Sequence, residues 1–463
     1  MGEALLVRKG GGGSKVINGI LEEYYAESDD ISADTFISFL DNVPTTYFSD
    51  TSRSNNEPPA IQAIKLSTTK ILMIIAPTYT YQQQYAVIDL GADGAVIGTT
   101  TEYRTPSAYY AKRTLDIAYI KVSDTDIFLF FFTGSYSTAK LVGLWVSVNI
   151  ETNEVTVEVN PYTIDSSMTQ MWMLSNAIKL ESNKFLIVTK ETQSSKYPVY
   201  AYVMQINASA KTVTVLNKLT LTTTESNSGE SYPRLIRMSE EQYCLLRNDI
   251  AVSTFNLDST YSTVSNYLKT KIGTPASSSY CIYNICKISS NRAIVFFAPN
   301  NTTLSASFVT INNGMVNVDK TISEAVSFSS TIIYGHLQAY YEEGEITLYM
   351  SDCYTSKFCK KIIFEVNDGA STLTLKSNTD LFDSTTDGTA TKPSGATVSV
   401  IPYSVLPLTR NSLLMILCLW NGFEEAFKVI RSEKTAVPAT SKIEGLTKNK
   451  LTTTTKGKVW TLG

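Results

Sequence analysis

Tyr119-Ile-Lys-Val122, then Ser123-Asp-Thr-Asp126, then Ile127-Phe-Leu-Phe-Phe-Phe132 reads as a short apolar strand, a polar turn and a strongly apolar strand. The pattern recurs on both sides of this stretch. Toward the N-terminus stands Ala63-Ile-Lys-Leu66 with Ile71-Leu-Met-Ile-Ile75. Toward the C-terminus follow Ala177-Ile-Lys-Leu180 with Phe185-Leu-Ile-Val188, Leu235-Ile-Arg-Met238 with Tyr243-Cys-Leu-Leu246, and Ile285-Cys-Lys-Ile288 with Ala293-Ile-Val-Phe-Phe297. Two weaker copies are Gln338-Ala-Tyr-Tyr341 with Ile346-Thr-Leu-Tyr-Met350, and Val405-Leu-Pro-Leu408 with Leu413-Leu-Met-Ile-Leu417. Short apolar runs bounded by Ser, Thr, Asn and Asp are strands, because helical apolar positions would recur every three or four residues.

The copies return about every 57 residues, and each continues into a second, more alternating pair of strands. Tyr85–Leu90 with Ala95–Ile97 is one such pair, and Leu144–Val148 with Glu154–Glu158 another. Asn312-Asn313-Gly314 and Asn367-Asp368-Gly369 supply the residues that tight hairpin turns with positive φ favour. Seven units of four strands, with no linkers between them, predict an all-β chain, a seven-bladed β-propeller. The inner two strands of each blade are apolar on both faces because they lie between blades. The outer two alternate because one side meets water. No fourth strand follows Phe427-Lys-Val-Ile430 in the last unit. Pro44–Ser49, ahead of the first unit, is the expected closing strand, since an open edge invites aggregation.

The predicted propeller covers 44–435, and 1–43 and 436–463 are expected to combine into a small β module. Those two segments are too short to fold separately, and propeller termini meet at the ring's seam. Within the first segment, Val16, Ile17, Ile20, Leu21, Tyr24 and Tyr25 suit a short amphipathic helix. Gly10–Gly13 reads as a flexible link, so that Ala4-Leu-Leu-Val7 could tether a neighbouring subunit.

Composition limits the function. The chain has 463 residues and a net charge of -4, from 39 basic and 43 acidic side chains. No basic excess exists to displace counterions from nucleic acid. With 27 Tyr and 18 Phe and only 18% charged residues, the chain is not disordered. A single His, His336, excludes multi-His metal sites, and no Gly-x-Ser-x-Gly elbow accompanies it for hydrolysis. It reads as a structural residue near the ring channel. Adjacent acidic pairs such as Glu240-Glu241 and Glu342-Glu343 read as solvated turns rather than a glycosidase pair. Asp380 to Asp387 could form an irregular calcium loop, but no cofactor is expected. No run of apolar residues is long enough to span a membrane as a helix, and Ala4–Val7 is too short for a secretory core. Cys244, Cys286 and Cys418 fall in apolar runs as reduced core thiols, while Cys353 and Cys359 could close a disulfide under oxidising conditions.

The segments Ala4–Ser14 (ALLVRKGGGGS), Ser32–Phe39 (SADTFISF) and Ile443–Leu462 (IEGLTKNKLTTTTKGKVWTL) resemble the ends of structural proteins of tailed bacteriophages and phage-tail-like particles. Such proteins carry an Ala-Gly-Asp-Phe-Val-type strand near the start and a Gly-(Ile/Leu)-(Ala/Thr)-Lys segment near the end. Here Ala33-Asp34-Thr35 stands where a Gly is usual. The resemblance covers only the ends. It implies a virion protein, made in the bacterial cytoplasm and carried at a tail tip or fibre. It would bind other virion proteins through both ends and a bacterial surface glycan or protein through the propeller, and by analogy it would form a homo-oligomer such as a trimer.

A binding surface is legible in the loops. Those from second to third strand, and from blade to blade, emerge on one propeller face. They carry Tyr79, Tyr81, Tyr103, Tyr109, Tyr110, Tyr136, Trp172, Tyr197, Tyr354, Phe358 and Trp420 among Asn, Gln, Ser and Thr. Aromatic faces beside such side chains suit sugars, whose C–H faces stack while their hydroxyls hydrogen-bond. Recognition without chemistry is the leading expectation. An architectural or capsid-decorating subunit and a glycan-degrading tail enzyme are the alternatives.

Overall fold

The computed structural model describes residues 4–8, 14–24, 36–41, 45–49, 60–67, 70–76, 82–90, 96–104, 118–133, 140–158, 162–166, 171–191, 197–223, 233–275, 283–328, 335–352, 358–382, 389–391, 397–409, 412–420, 425–438, 445–447 and 457–462, some strands by backbone alone. Every regular element among them is a β-strand. The chain is a β-propeller.

The first blade pairs Ala60–Lys65, Lys70–Ala76, Gln82–Leu90 and Val96–Arg104 in chain order, all antiparallel. Five more sheets repeat this order. In the second blade the outer strand is broken into Val155–Val157 and Tyr162–Asp165. In the third the inner strand is broken into Met171–Leu174 and Ile178–Lys179. Six sheets, not the expected seven, are separate blades of four principal strands. The last unit, Thr397–Thr409, Ser412–Trp420 and Glu425–Pro438, belongs instead to a ten-stranded sheet.

The length of Glu425–Pro438 explains that difference. Its first part pairs with Ser412–Trp420 on one side and with Thr45–Ser49 on the other, where Phe427 faces Ser49 and Arg431 faces Thr45. Its last part, Lys434–Pro438, runs on and pairs with Phe36–Asp41. The ladder then continues through Gly445–Thr447, Gly457–Leu462 and Ser14–Tyr24 to Ala4–Arg8. Strands from both ends of the chain thus share one sheet. One expectation fails here. Ser14–Tyr24 is a strand rather than a helix, because it has a ladder partner on each side, and such pairing overrides a local helical spacing. Ala4–Arg8 pairs with its own following strand, Ser14–Tyr24.

Packing between blades holds the ring together. Ile64, Leu66, Leu72 and Ile74 of the first blade share a buried cluster with Ile127, Leu129 and Phe131 of the second. Four further clusters join second to third, third to fourth, fourth to fifth and fifth to sixth blades. The ten-stranded sheet closes the circle: Thr397–Thr409 touches the sixth blade on one side and Ala60–Lys65 on the other. Inner strands are buried on alternate faces by different neighbours, hence their unbroken apolar runs. Outer strands alternate, as in Thr212–Thr222, where intermediate and exposed residues follow one another.

Antiparallel order defines two faces. Turns from first to second and from third to fourth strand lie on one, here called the lower face. Turns from second to third strand and the blade-to-blade segments lie on the other, the upper face. On the lower face the first five blades share one turn: Leu66 and Ser67 both donate to the Lys70 carbonyl, and Val122 and Ser123, Leu180 and Glu181, Met238 and Ser239, and Ile288 and Ser289 repeat it. The sixth blade uses a two-residue turn, Glu343-Gly344, with φ of 51° and 84°. Asn313 and Gly314 make the expected hairpin with φ of 51° and 82°. At Asn367-Asp368-Gly369 the loop is longer, and the left-handed residue is Ser371.

Cys244 and Cys286 are buried thiols. So is Cys359, which burial and the Asp380 charge push up to about 12, an inert thiol rather than a disulfide partner. Cys353 lies outside the described residues, and Cys418 is described by backbone alone.

Candidate functional site

The upper end of the third blade gathers charged and aromatic side chains that combine deep burial with an opening to the surface. Its second strand ends in Thr189-Lys190-Glu191, all fully buried. The inner strand meets it through a β-bulge: Met171 faces Glu191 and Met173 faces Lys190, so Trp172 is the extra residue. Bulges of this kind re-aim a side chain and are frequent beside functional sites. Tyr197 precedes the third strand, and its half-buried ring lies 5.2 Å from Lys190 Nζ.

One step outward, Lys218 bridges two carboxylates. Its Nζ is 2.6 Å from Asp165 Oδ2, on the outer strand of the second blade, and 3.2 Å from Glu191 Oε1. The same ammonium sits over the Tyr200 ring at 4.2 Å and the Tyr202 ring at 5.4 Å. Tyr202 Oη donates to Asp165 at 2.8 Å and, more weakly, to Glu191 at 3.4 Å. Glu191 is shut from solvent, whereas the Lys218 side chain keeps 29% of its exposure.

The electrostatics favour holding over proton transfer. Burial raises the Tyr202 hydroxyl far above the phenol range, and its hydrogen bond to Asp165 and the charges of Glu191 and Asp165 raise it further. A phenol so held donates hydrogen bonds and does not act as a base. For Lys218, burial opposes the charge, but the Asp165 hydrogen bond and the fields of Glu191 and Asp165 outweigh it, so the amine stays charged above the usual lysine range. The result is a partly exposed cation, Lys218, fixed beside aromatic rings by a buried carboxylate and by Asp165, which keeps 11% of its exposure, a polar and aromatic set of the kind that suits a polyhydroxylated ligand. No group of three or more His, Cys, Asp or Glu side chains able to hold a metal occurs among the described residues.

The structure brings Trp172 and Tyr197 to this one end of the third blade. Trp420 ends its strand opposite Glu425, at the upper end of the ten-stranded sheet and so in a different part of the ring. Tyr79, Tyr81, Tyr109, Tyr110, Tyr136 and Tyr354 lie outside the described residues, as does the Asp383–Asp387 stretch. Tyr103 lies in the outer strand of the first blade, and Phe358, buried, opens the third strand of the sixth. His336 opens the inner strand of the sixth blade, opposite Ser351. Sequence reasoning missed Asp165, Glu191 and Lys218. Their signal was available in one case: Thr-Lys-Glu interrupts an apolar second strand that ends in Phe-Phe-Phe-Thr in the preceding blade.

A cyclic arrangement of four-stranded blades defines a β-propeller, and the polar, aromatic upper end of its third blade is the candidate site. No protein-family model matches the sequence, and no curated protein matches it. Among solved structures the chain is similar to S. cerevisiae core factor, at 10% identity over 85% of this chain and 61% of that one, with a TM-score of 0.46. It is similar to a putative 6-phosphogluconolactonase from Bacteroides uniformis, at 12% identity over 74% and 90%, with a TM-score of 0.42. It is also similar to the polysaccharide lyase Uly1, at 8% identity over 89% and 99%, with a TM-score of 0.46. These likenesses carry no argument about activity, and the fold rests on the strand pairing above.

Proposed function

We propose that this chain is a docking protein that binds its ligand on the upper face without chemistry and is held in a larger particle by the sheet made from its two ends. The polarity of Glu425–Pro438 carries the reading. That strand starts on the upper face and leaves the ring on the lower one, where it enters the terminal sheet. Attachment and recognition therefore lie at opposite poles. The ligand class is a bacterial surface glycan or glycoprotein, in keeping with the acceptors, cation and aromatic residues of the third blade. The four strands Thr397–Thr409, Ser412–Trp420, Glu425–Pro438 and Thr45–Ser49 act as a seventh blade within the ten-stranded sheet.

A tailed-phage or tail-like particle is the setting in which we place it. The segments that resemble phage structural proteins are those whose strands, Ala4–Arg8, Phe36–Asp41, Gly445–Thr447 and Gly457–Leu462, pair into the terminal sheet. The test is a glycan array and a bacterial-cell adsorption assay on the full chain. Binding should fall at least tenfold in Trp172→Ala or Tyr197→Ala with unchanged thermal stability. A chain that binds neither glycans nor cells, or whose binding ignores both substitutions, refutes the docking reading. Locating the chain by electron microscopy away from the tail of purified particles refutes the setting.

A further inference from the structure

The innermost strands carry a charge pattern opposite to that of the whole chain. They contribute the cations Lys65, Lys121, Lys179, Arg234, Arg237 and Lys287, against a single carboxylate, Glu342. The chain as a whole has net charge -4. Five of these cations occupy one position, the residue before the last apolar residue of each inner strand in five successive blades. In the sixth blade that position is Tyr340 and in the last unit Pro407, and no blade places an acid there.

The position lies at the lower end of the inner strands, beside the ring axis. Three of the five show how they are held. Lys121 donates to the Leu66 carbonyl of the preceding blade, Arg237 Nη1 to the Leu180 carbonyl at 2.9 Å, and Lys287 Nζ to the Met238 carbonyl at 2.7 Å. Each cation is thus fixed by a neutral group at the gap between two inner strands. Lys121 also meets Asp124 at 2.7 Å. Lys179 and Lys287 have no carboxylate partner among the described residues, and both are exposed. Tyr340 shows that the inner strands of several blades face a common space. Its hydroxyl donates to Gln338 at 2.6 Å, and it feels the fields of Tyr119 in the second blade and Arg234 in the fourth. Protein surrounds its hydroxyl enough to raise it well above the phenol range, while the residue as a whole keeps 42% of its exposure.

We propose that this ring of cations forms an axial site at the lower mouth of the propeller that binds a small multivalent oxyanion. A ring that served only to clamp blades would need the hydrogen bonds but not the uniform sign, and Gln could supply them. Fixed cations set around the ring axis concentrate anions there, and a ligand on the axis would meet several at once.

Inorganic phosphate is the probe, with sulfate as a second arm and chloride at matched ionic strength as the reference. The full chain should gain thermal stability in phosphate or sulfate over chloride, with a saturable titration by calorimetry. Lys179→Gln with Lys287→Gln should weaken phosphate binding by about tenfold or more. Lys179→Gln alone removes a charge that makes no clamp, so it reports on binding even if the double variant folds poorly. Lys320→Gln, on an outer strand, should leave the titration unchanged. Equal stability in phosphate and chloride, a wild-type titration in the Lys179→Gln variant, or an equal loss in Lys320→Gln would each overturn the proposal.

Discussion

Replacing Lys218 by Met removes the cation shared by Asp165 and Glu191 while keeping most of the aliphatic stem. Breaking a buried ion pair by removing one partner costs about 3–5 kcal/mol, because the other charge is left without compensation. Glu191 meets that condition, since it is fully buried. Lys218 is 29% exposed, so water replaces part of the lost interaction. We therefore expect a loss of about 2–3 kcal/mol. Unfolding entropy of about 2.1 cal/mol/K per residue gives roughly 1 kcal/mol per degree for a chain of this length. The melting temperature should thus fall by about 2–3 °C if the ring unfolds cooperatively. Adding Glu191→Gln should restore much of it, since the stranded charge goes with the same substitution. The pH dependence has a definite sign. The folded-state Lys218 lies above its unfolded value, so its contribution is complete below the ordinary lysine range and disappears as pH rises through the raised value. The stability gap between wild type and Lys218→Met should stay flat between neutral and moderately alkaline pH, then close. Calorimetry showing no change in Lys218→Met, or strictly additive losses in the double variant, would refute this account of the cluster.

Two further substitutions probe the frame. Gly143→Ala would place a Cβ 2.0 Å from Cζ of the fully buried Phe128 ring, and Phe128 is itself packed edge-on against Phe130 and Trp145. Overpacking of this kind should cost about 1–3 kcal/mol in urea unfolding, with Phe128→Leu relieving part of it. Gly314→Ala, at φ of 82° and with Asn266 3.2 Å from the new Cβ, should lower the urea midpoint by an amount equivalent to about 1–2 kcal/mol, whereas Asn313→Gly should be close to neutral.

The fold was legible because blade packing writes itself into the chain. Second strands such as Ile127–Phe132 must satisfy a neighbour on each face, and only an unbroken apolar run does that. Turn residues were readable where one local rule decides, as at Asn313-Gly314, and misread at Asp368-Gly369, where a longer loop moved the left-handed residue to Ser371. The helix expected over Val16–Tyr25 failed because its strand partners, near residues 5 and 460, are not its neighbours in sequence. The blade count failed for a related reason: no local pattern tells that Glu425–Pro438 serves two ladders at once. Trp172 and Tyr197 were singled out by their loop setting, but the charges near them were not, since Asp165, Glu191 and Lys218 stand far apart in the chain. The cations of the inner strands lay in plain view within the repeated four-residue motif of Ala63-Ile-Lys-Leu66 and its copies, where attention to apolar residues passed over the third position.

Because Thr45–Ser49 pairs with Glu425–Pro438, the ring's last ladder joins a strand that precedes all six separate blades in the sequence to one that follows them. A ribosome making this chain produces the six blades in order before the partner of that early strand exists. Closure therefore waits until Glu425–Pro438 has been made, and a product cut short before that strand carries a bare edge that another copy can capture.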